Sequence, residues 1–402
     1  MNTLFAHVTQ VPRDPILGLN ELFQADARPN KINLGVGVYY DEQGHMPLLQ
    51  VVKNTEIQLA EHSAAKGYLP IDGIQNYNTG AQHLLLGKDA TVIHQGRAVT
   101  IQSLGGTGAL RLGADFLKMV VPNAVVAISN PSWENHRALF EKAGFDVVEY
   151  PYYDSHTQSL DIEGMLQSLE QLAPHSIVVL HACCHNPTGI DPTFEQWQRI
   201  AQVVKEKQLI PFMDIAYQGF GEGLDADAKA VRYLAELDIP MLISSSFSKS
   251  FALYGERVGA LTVLTSTADQ SPKVLSQLKR MARTSYSNPP THGAQIVNLV
   301  LNDPTRFAAW EAELTQMRLR IRTMRQQLVK KLAEHGVKKD MSFILDQQGM
   351  FSYSGLTQTQ AQRLRDEDAI YLLDTGRICV AALNENNLDT IAAAIARVVA
   401  DS

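Results

Sequence analysis

Seven short apolar runs, separated by stretches of helical periodicity, constrain this chain more than any other feature. They are AVTIQSL (98–104), AVVAIS (124–129), FDVVEY (145–150), SIVVLHA (176–182), LIPFMDIA (209–216), MLISSS (241–246) and GALTVLT (259–265). Most carry apolar side chains on both faces, as strands covered on each side must. The intervening stretches read as helices. In Thr193 to Gln208, Thr193 and Gln196 have capping-box spacing, and Phe194, Trp197, Ile200, Ala201 and Val204 make one apolar stripe. Strand and helix in alternation require crossover connections and hence a mainly parallel sheet. The predicted fold class is α/β, and in such sheets ligands gather beyond the carboxyl ends of the strands.

From Asp303 the pattern changes. Asp303-Pro304 reads as a helix start, and Leu314, Met317, Ile321, Met324, Leu328 and Leu332 recur at three- and four-residue intervals up to Gly336. Beyond this long helix, FILDQQGMFSYSGL reads as two strands around a glycine turn, YLLDTGRICVAAL as another strand pair, and the chain ends in a helix. The expected organisation is an N-terminal segment (1–46) packed with a small α+β domain (312–402), and a large domain (47–311) between them. The basic residues of the long helix, Arg318, Arg320, Arg322, Arg325, Lys330 and Lys331, read most simply as a solvated face.

Charge and cysteine count exclude several classes. With 35 basic against 42 acidic side chains in 402 residues the net charge is −7, so no basic footprint for nucleic acid is expected. Cys183, Cys184 and Cys379 cannot build a disulfide framework, which points to a reducing compartment. No apolar run approaches the roughly 18 residues of a membrane span, and the first residues lack a signal-peptide pattern. A cytoplasmic location is expected.

The chemistry-bearing residues fall just after strands. Gly105-Gly106-Thr107-Gly108 opens a helix, where backbone N–H groups and the helix dipole suit an anion, although the spacing matches neither a dinucleotide fingerprint nor a Walker loop. A tight turn without ligand reads equally well. Ser246-Phe247-Ser248-Lys249 ends another strand, with Arg257 eight residues on. A desolvated lysine has a depressed pKa and suits covalent capture of a carbonyl, whereas a lysine just past a strand can also be a plain surface residue. Asp214 ends an apolar strand, three residues before Tyr217. It needs a cationic or donor partner there, unless it only caps the next loop. His181-Ala182-Cys183-Cys184-His185-Asn186-Pro187 invites a zinc reading, but adjacent cysteines fit one tetrahedral site poorly, and a rigid turn aiming Asn186 at the strand ends is the simpler reading. No metal is expected. Trp133 and His136 follow the strand at 124–129, where the tryptophan is either core or a flat lid for an aromatic ligand.

Together SFSKSFALYGERVG, HACCHNPTGIDPT, MDIAYQGFG, SNPSWENH, SLGGTGALR and YSNPP resemble the aspartate and aromatic-amino-acid aminotransferases, which are fold type I pyridoxal-phosphate enzymes. The resemblance runs from Asp14-Pro15-Ile16-Leu17 past Arg377, nearly the whole chain. It implies that Lys249 carries pyridoxal 5'-phosphate and moves the substrate proton, that Asp214 pairs with the ring nitrogen, and that Tyr217 and Asn186 bind the phenolic oxygen. Trp133 would stack on the ring. Gly106, Thr107, Ser246, Ser248 and Arg257 would hold the phosphate, with Tyr68 reaching it from a neighbouring subunit of a homodimer. Arg377, helped by Gly37 and Asn186, would take the α-carboxylate, and Arg283 from the partner the side-chain carboxylate. His136 and His181 would support Asp214, although both also read as buried, satisfied histidines.

The substrate splits the resemblance. Arg283, Thr107 and Asn288 look like the dicarboxylate branch, while Tyr40, Met46 and Pro70 look like the aromatic one. The expectation is an enzyme accepting phenylalanine, tyrosine, tryptophan and aspartate with 2-oxoglutarate as acceptor, the alternative being a dedicated aspartate aminotransferase. A decarboxylase or β-lyase on the same fold, or a non-catalytic cofactor-binding protein, are the rival functions.

Overall fold

The computed structural model describes residues 4–400. All seven expected strands form, each within one residue of its expected bounds: β1 (Ala98–Leu104), β2 (Val125–Asn130), β3 (Asp146–Pro151), β4 (Ile177–His181), β5 (Ile210–Ile215), β6 (Met241–Ser246) and β7 (Val258–Leu264). They make one sheet in the order β1-β7-β6-β5-β4-β2-β3. Only β7 runs antiparallel to its neighbours, pairing Val258 with Leu104 and Gly259 with Ser246. The start of β7 therefore lies beside the carboxyl ends of β1 and β6. The segment around 105 therefore meets the distant segments around 248 and 257 at one edge.

Helix α1 (Gly105–Val120) leaves β1 without a linker and buries Ala109, Leu110, Leu112, Phe116 and Leu117 against the sheet. The junction is tight. Gly105 has φ +68°, and a Cβ on Gly259 would lie 2.4 Å from the Gly105 carbonyl carbon and 2.8 Å from the Ser245 oxygen. Backbone atoms on both sides cannot give way as a side chain would. Gly259→Ala is expected to cost about 3 kcal/mol, the upper end of overpacking penalties, measured as a lower urea midpoint at unchanged slope.

Helix α2 (Phe194–Glu206) carries the expected capping box: the Gln196 N–H donates to Thr193 Oγ1 at 3.3 Å, and the Thr193 N–H donates to Gln196 Oε1 at 2.8 Å. Helix α3 (Pro304–Glu334) is the expected long helix. Asp303 accepts the Arg306 N–H at 2.9 Å, and Leu314, Met317, Ile321, Met324, Leu328 and Leu332 are all buried. It also steadies the lysine segment, because the buried Trp310 stacks on Phe251 at 4.5 Å and donates from Nε1 to the Ser250 carbonyl at 2.7 Å.

Two expectations for the C-terminal region are corrected. FILDQQGMFSYSGL holds one strand, β8 (Phe351–Tyr353), preceded by a 3-10 turn at Ser342–Asp346. The Gln347 side chain occupies the strand partner's place, accepting the Tyr353 N–H at 3.0 Å and donating to its carbonyl at 3.1 Å. In YLLDTGRICVAAL the strands β9 (Ile370–Tyr371) and β10 (Arg377–Cys379) do not pair with each other. β9 runs parallel to Ile32–Asn33 and β10 antiparallel to β8. The N-terminal segment is thereby stitched to this region, with Arg28 donating to the carbonyls of Arg365 and Asp366 as well. A third correction concerns the basic residues of α3. Arg325 is buried rather than solvated, because it donates to the Gly349 and Phe351 carbonyls at 2.7 and 3.1 Å and to Ser352 Oγ at 3.2 Å. No helix among the described residues is long and apolar enough to cross a membrane.

Candidate active site

A cleft enclosing about 1010 Å³, its open mouth included, lies beyond the strand ends. Of the residues singled out in the sequence, Gly37, Gly106, Thr107, Trp133, His181, Asn186, Asp214, Tyr217, Ser246, Ser248, Lys249, Arg257 and Arg377 line it. His136 stands just behind them.

Asp214 ends β5, in register with His181 at the end of β4. Its Oδ2 lies 3.0 Å from His136 Nε2, and His136 Nδ1 is 2.9 Å from Ser132 Oγ. Burial alone would raise the Asp214 carboxyl, but the His136 hydrogen bond and the nearby Lys249 charge hold it below the usual range. The site thus keeps a carboxylate ionised in a nearly dry place. The His136 ring meets Trp133 and His181 edge-on, with centroids 5.2 and 5.0 Å away. His181 accepts the Asn186 N–H on Nδ1 at 3.1 Å, which leaves Nε2 buried without a partner, and burial pushes its pKa down to about 3. It is a neutral donor.

Lys249 Nζ sits 4.9 Å from the centre of the Tyr217 ring. Desolvation lowers its pKa to about 8, against the opposing pull of Asp214, with Arg257 and Arg377 pushing the same way as desolvation. An amine of this kind is substantially neutral just above physiological pH and is a usable nucleophile and base. Burial pushes the Tyr217 hydroxyl well up, so it is a proton donor.

A second group stands where β1, β6 and β7 meet. Arg257 Nη1 donates to the Tyr254 carbonyl at 2.9 Å and lies 3.4 Å from Ser248 Oγ, and it has no carboxylate partner among the described residues. A Cβ on Gly105 would lie 2.7 Å from its Nη2, so only glycine lets the α1 start approach the guanidinium. The first N–H groups of α1, the Ser246 and Ser248 hydroxyls and an unpaired guanidinium form a cradle for a phosphate.

Arg377 is 1% exposed. It donates to Asn186 Oδ1 at 2.9 Å and to the Gly35 carbonyl at 2.6 Å, stacks on Phe351 at 4.1 Å, and leaves Nε without an acceptor. A buried guanidinium with no carboxylate within ion-pair distance among the described residues, the Glu134 charge acting on it only from further away, is costly unless a ligand provides one. The carboxylate-binding arm, the anion cradle, the amine and the Asp214 carboxylate thus open into one space. Their chemistry matches the four handles of pyridoxal phosphate and an amino acid: phosphate, aldehyde, ring nitrogen and carboxylate.

The HACCHNPTG loop owes its shape to Asp191, which accepts the Cys184 and His185 N–H groups at 2.6 and 2.8 Å. The sulfurs of Cys183 and Cys184 and the Asp227 carboxylate lie within 4.8 Å of one another. Asp227 is already committed to the N–H groups of Gly219, Gly221 and Glu222, and His185 to Ser129 and Thr188. The motif is a shaped turn.

Two expected site residues are not in this cleft. Tyr68 is 95% exposed, and Arg283 is exposed with its guanidinium on Ser287 Oγ. Asn288 donates to the Leu69 carbonyl at 3.3 Å, so both segments belong to one surface. Tyr40, Met46 and Pro70 also lie outside the cleft lining. Sequence reading missed Ile16, Val36, Leu110, Tyr254 and Phe351, which supply its apolar wall. Tyr254 stood within a quoted motif, and its hydroxyl accepts the Tyr39 N–H at 3.0 Å. Ile16, though within the quoted Asp14-Pro15-Ile16-Leu17, and Val36 gave no sign of a place in the cleft, because the N-terminal segment reaches it through long-range contacts with β9, β10, Arg377 and Tyr254.

Residues 29–395 match the family model for aminotransferase class I and II. The chain belongs to that family. Aspartate aminotransferase of Pseudomonas aeruginosa is 58% identical over 99% of this aminotransferase and all of the relative. Aromatic-amino-acid aminotransferase of Escherichia coli strain K12 is 48% identical over 98% of the chain and all of the relative. Among solved structures, an aromatic-amino-acid aminotransferase from Burkholderia pseudomallei, covalently bound to pyridoxal phosphate, superposes with a TM-score of 0.96 at 58% identity, covering 98% of this chain and 99% of that one. The expected fold type I architecture and aminotransferase class are those of these relatives.

Proposed function

We propose that this aminotransferase uses pyridoxal 5'-phosphate to move the amino group of phenylalanine, tyrosine, tryptophan or aspartate to 2-oxoglutarate by a ping-pong route. The observation that carries the reading is a lysine amine of lowered pKa and an ionised, histidine-backed carboxylate opening into one cleft. When bound there, the cofactor supplies an aldehyde carbon for the amino group and a protonated ring that withdraws electrons from the substrate α-carbon. Lys249 would hold it, and its amine would carry the proton to and from that carbon. Asp214, steadied by His136, keeps the proton on the ring nitrogen, with His181 supporting the same wall. Tyr217 and Asn186 donate to the phenolic oxygen, and Trp133 covers the ring. Gly106, Thr107, Ser246, Ser248 and Arg257 bind the phosphate. Arg377 orients the α-carboxylate beside Gly37, and the apolar wall excludes water.

The same reading makes the protein a cytoplasmic homodimer in which Tyr68 and Arg283 complete the partner's site, consistent with their shared exposed surface. It also divides the chain at 46 and 311, with residues 312–402 and the N-terminal segment moving together on the ligand. Relatives of equal identity carry aspartate and aromatic names, and the apolar wall of Ile16, Val36, Leu110 and Phe351 suits the broader range. Initial rates with 2-oxoglutarate test it. The three aromatic donors and aspartate should have kcat/KM within about 200-fold of one another, the discrimination a single apolar pocket manages. Aspartate as the sole useful donor would leave the dedicated aspartate aminotransferase.

The Lys249 amine also sets a pH dependence. Its neutral fraction rises about tenfold per pH unit below its pKa and saturates above it. The rate at which Lys249 of the cofactor-free protein captures added pyridoxal 5'-phosphate, followed by absorbance, should climb between pH 6 and about 8 and then level. A climb continuing to pH 10 would mean an ordinary surface amine.

A further inference from the structure

Arg318, Arg322 and Arg325 occupy one face of α3 at i, i+4 and i+7, and all three line a second cleft of about 1000 Å³, its open mouth included. It shares no lining residue with the cleft that holds Lys249. None of the three makes an ion pair with a described residue. Their N–H groups go to neutral acceptors: Arg318 to the Gly219 carbonyl (3.0 Å) and Thr315 Oγ1 (3.3 Å), Arg322 to the Gly221 carbonyl (3.2 Å), and Arg325 to Gly349, Phe351 and Ser352. Nη1 of the buried Arg325, and Nε and Nη1 of Arg322, have no acceptor among the described residues. Two carboxylates, Glu222 and Asp346, also line the cleft, and neither comes within ion-pair distance of these guanidiniums.

Like charges one turn apart on a helix repel, and Arg325, buried where Arg318 is half-buried and Arg322 exposed, faces only neutral acceptors and is poorly compensated. Carbonyls alone do not require three permanent cations, since uncharged donors would satisfy them. Several guanidinium groups lining one cavity match an oxyanion with several acceptor atoms. We infer that this cleft is a second ligand site, which binds a small oxyanion carrying two or more negative charges, of the inorganic phosphate type. Arg318 and Arg322 hold the backbone just after Tyr217, and Arg325 holds the backbone of Phe351, whose ring packs on Tyr217 at 5.9 Å and on Arg377 at 4.1 Å. Its occupancy therefore bears on both walls of the cofactor cleft.

Calorimetric titration of inorganic phosphate into the cofactor-loaded protein at fixed ionic strength tests this without reading transamination. Saturable binding is expected, at least tenfold weaker in both Arg318→Gln and Arg322→Gln and unchanged in Arg377→Gln. The site is overturned by the absence of saturable binding, by equal affinity in the Arg318 and Arg322 variants, or by a loss confined to Arg377→Gln, which would place the anion in the substrate cleft.

Discussion

Lys249→Ala should lower transamination turnover by about 10⁴-fold, the upper range for a positioned acid–base group. Among the described residues no other amine lines the cofactor cleft, so none of them replaces it. The visible absorption of the lysine-bound cofactor should vanish, while the phosphate cradle of Ser246, Ser248, Arg257 and the α1 start still retains cofactor. The cofactor-free variant should unfold no more easily than wild type, because a desolvated ammonium is removed with no hydrogen bond lost. Lost activity with intact stability separates a chemical role for Lys249 from a packing role. Turnover within tenfold of wild type would rule the chemical role out.

Asp214→Asn should reduce kcat by about 10²–10³-fold, the range found when one preorganised electrostatic partner is removed. The amide keeps the shape of the carboxylate and can still bond His136, so the fold should be unaffected. Only the negative charge is lost, and with it the means of keeping a ring nitrogen protonated. Because His136 holds the wild-type carboxyl below its ordinary range, the wild-type rate should show no titration of Asp214 between pH 5 and 8. Measuring kcat for both proteins over that interval checks the two expectations together. A variant within threefold of wild type would leave Asp214 a structural cap of its loop.

The strand ends were legible because each signal is local. β-Branched runs, a glycine turn and a chemistry-bearing residue lie within a dozen positions of one another, and the sheet order brings their ends together. What escaped the sequence depends on pairing at long range. β9 and β10 read as partners because they are adjacent, but their own backbones pair with residues 32–33 and 351–353. Arg325 read as solvated because α3 carries many basic residues, and only the carbonyls of Gly349 and Phe351 reveal why one of them is buried. Ile16 and Val36 reach the cleft by the same distant pairing. The roles of Lys249, Asp214, Arg257 and Arg377 came from the resemblance rather than from spacing. A lone lysine after a strand, or a lone arginine after Thr375-Gly376, is chemically ambiguous until its surroundings are known. Tyr68 and Arg283 carried no local signal at all, and within one chain they still face outward.

The decisive measurement is where the cofactor attaches. The loaded protein would be treated with borohydride to fix the lysine–cofactor bond, digested, and its peptides mapped by mass spectrometry. A phosphopyridoxyl group on the peptide containing Lys249, absent when Asp214-intact Lys249→Ala protein is treated alike, is the expected result. The same group on any other lysine, or spread over several, would contradict the assignment of this cleft as the active site.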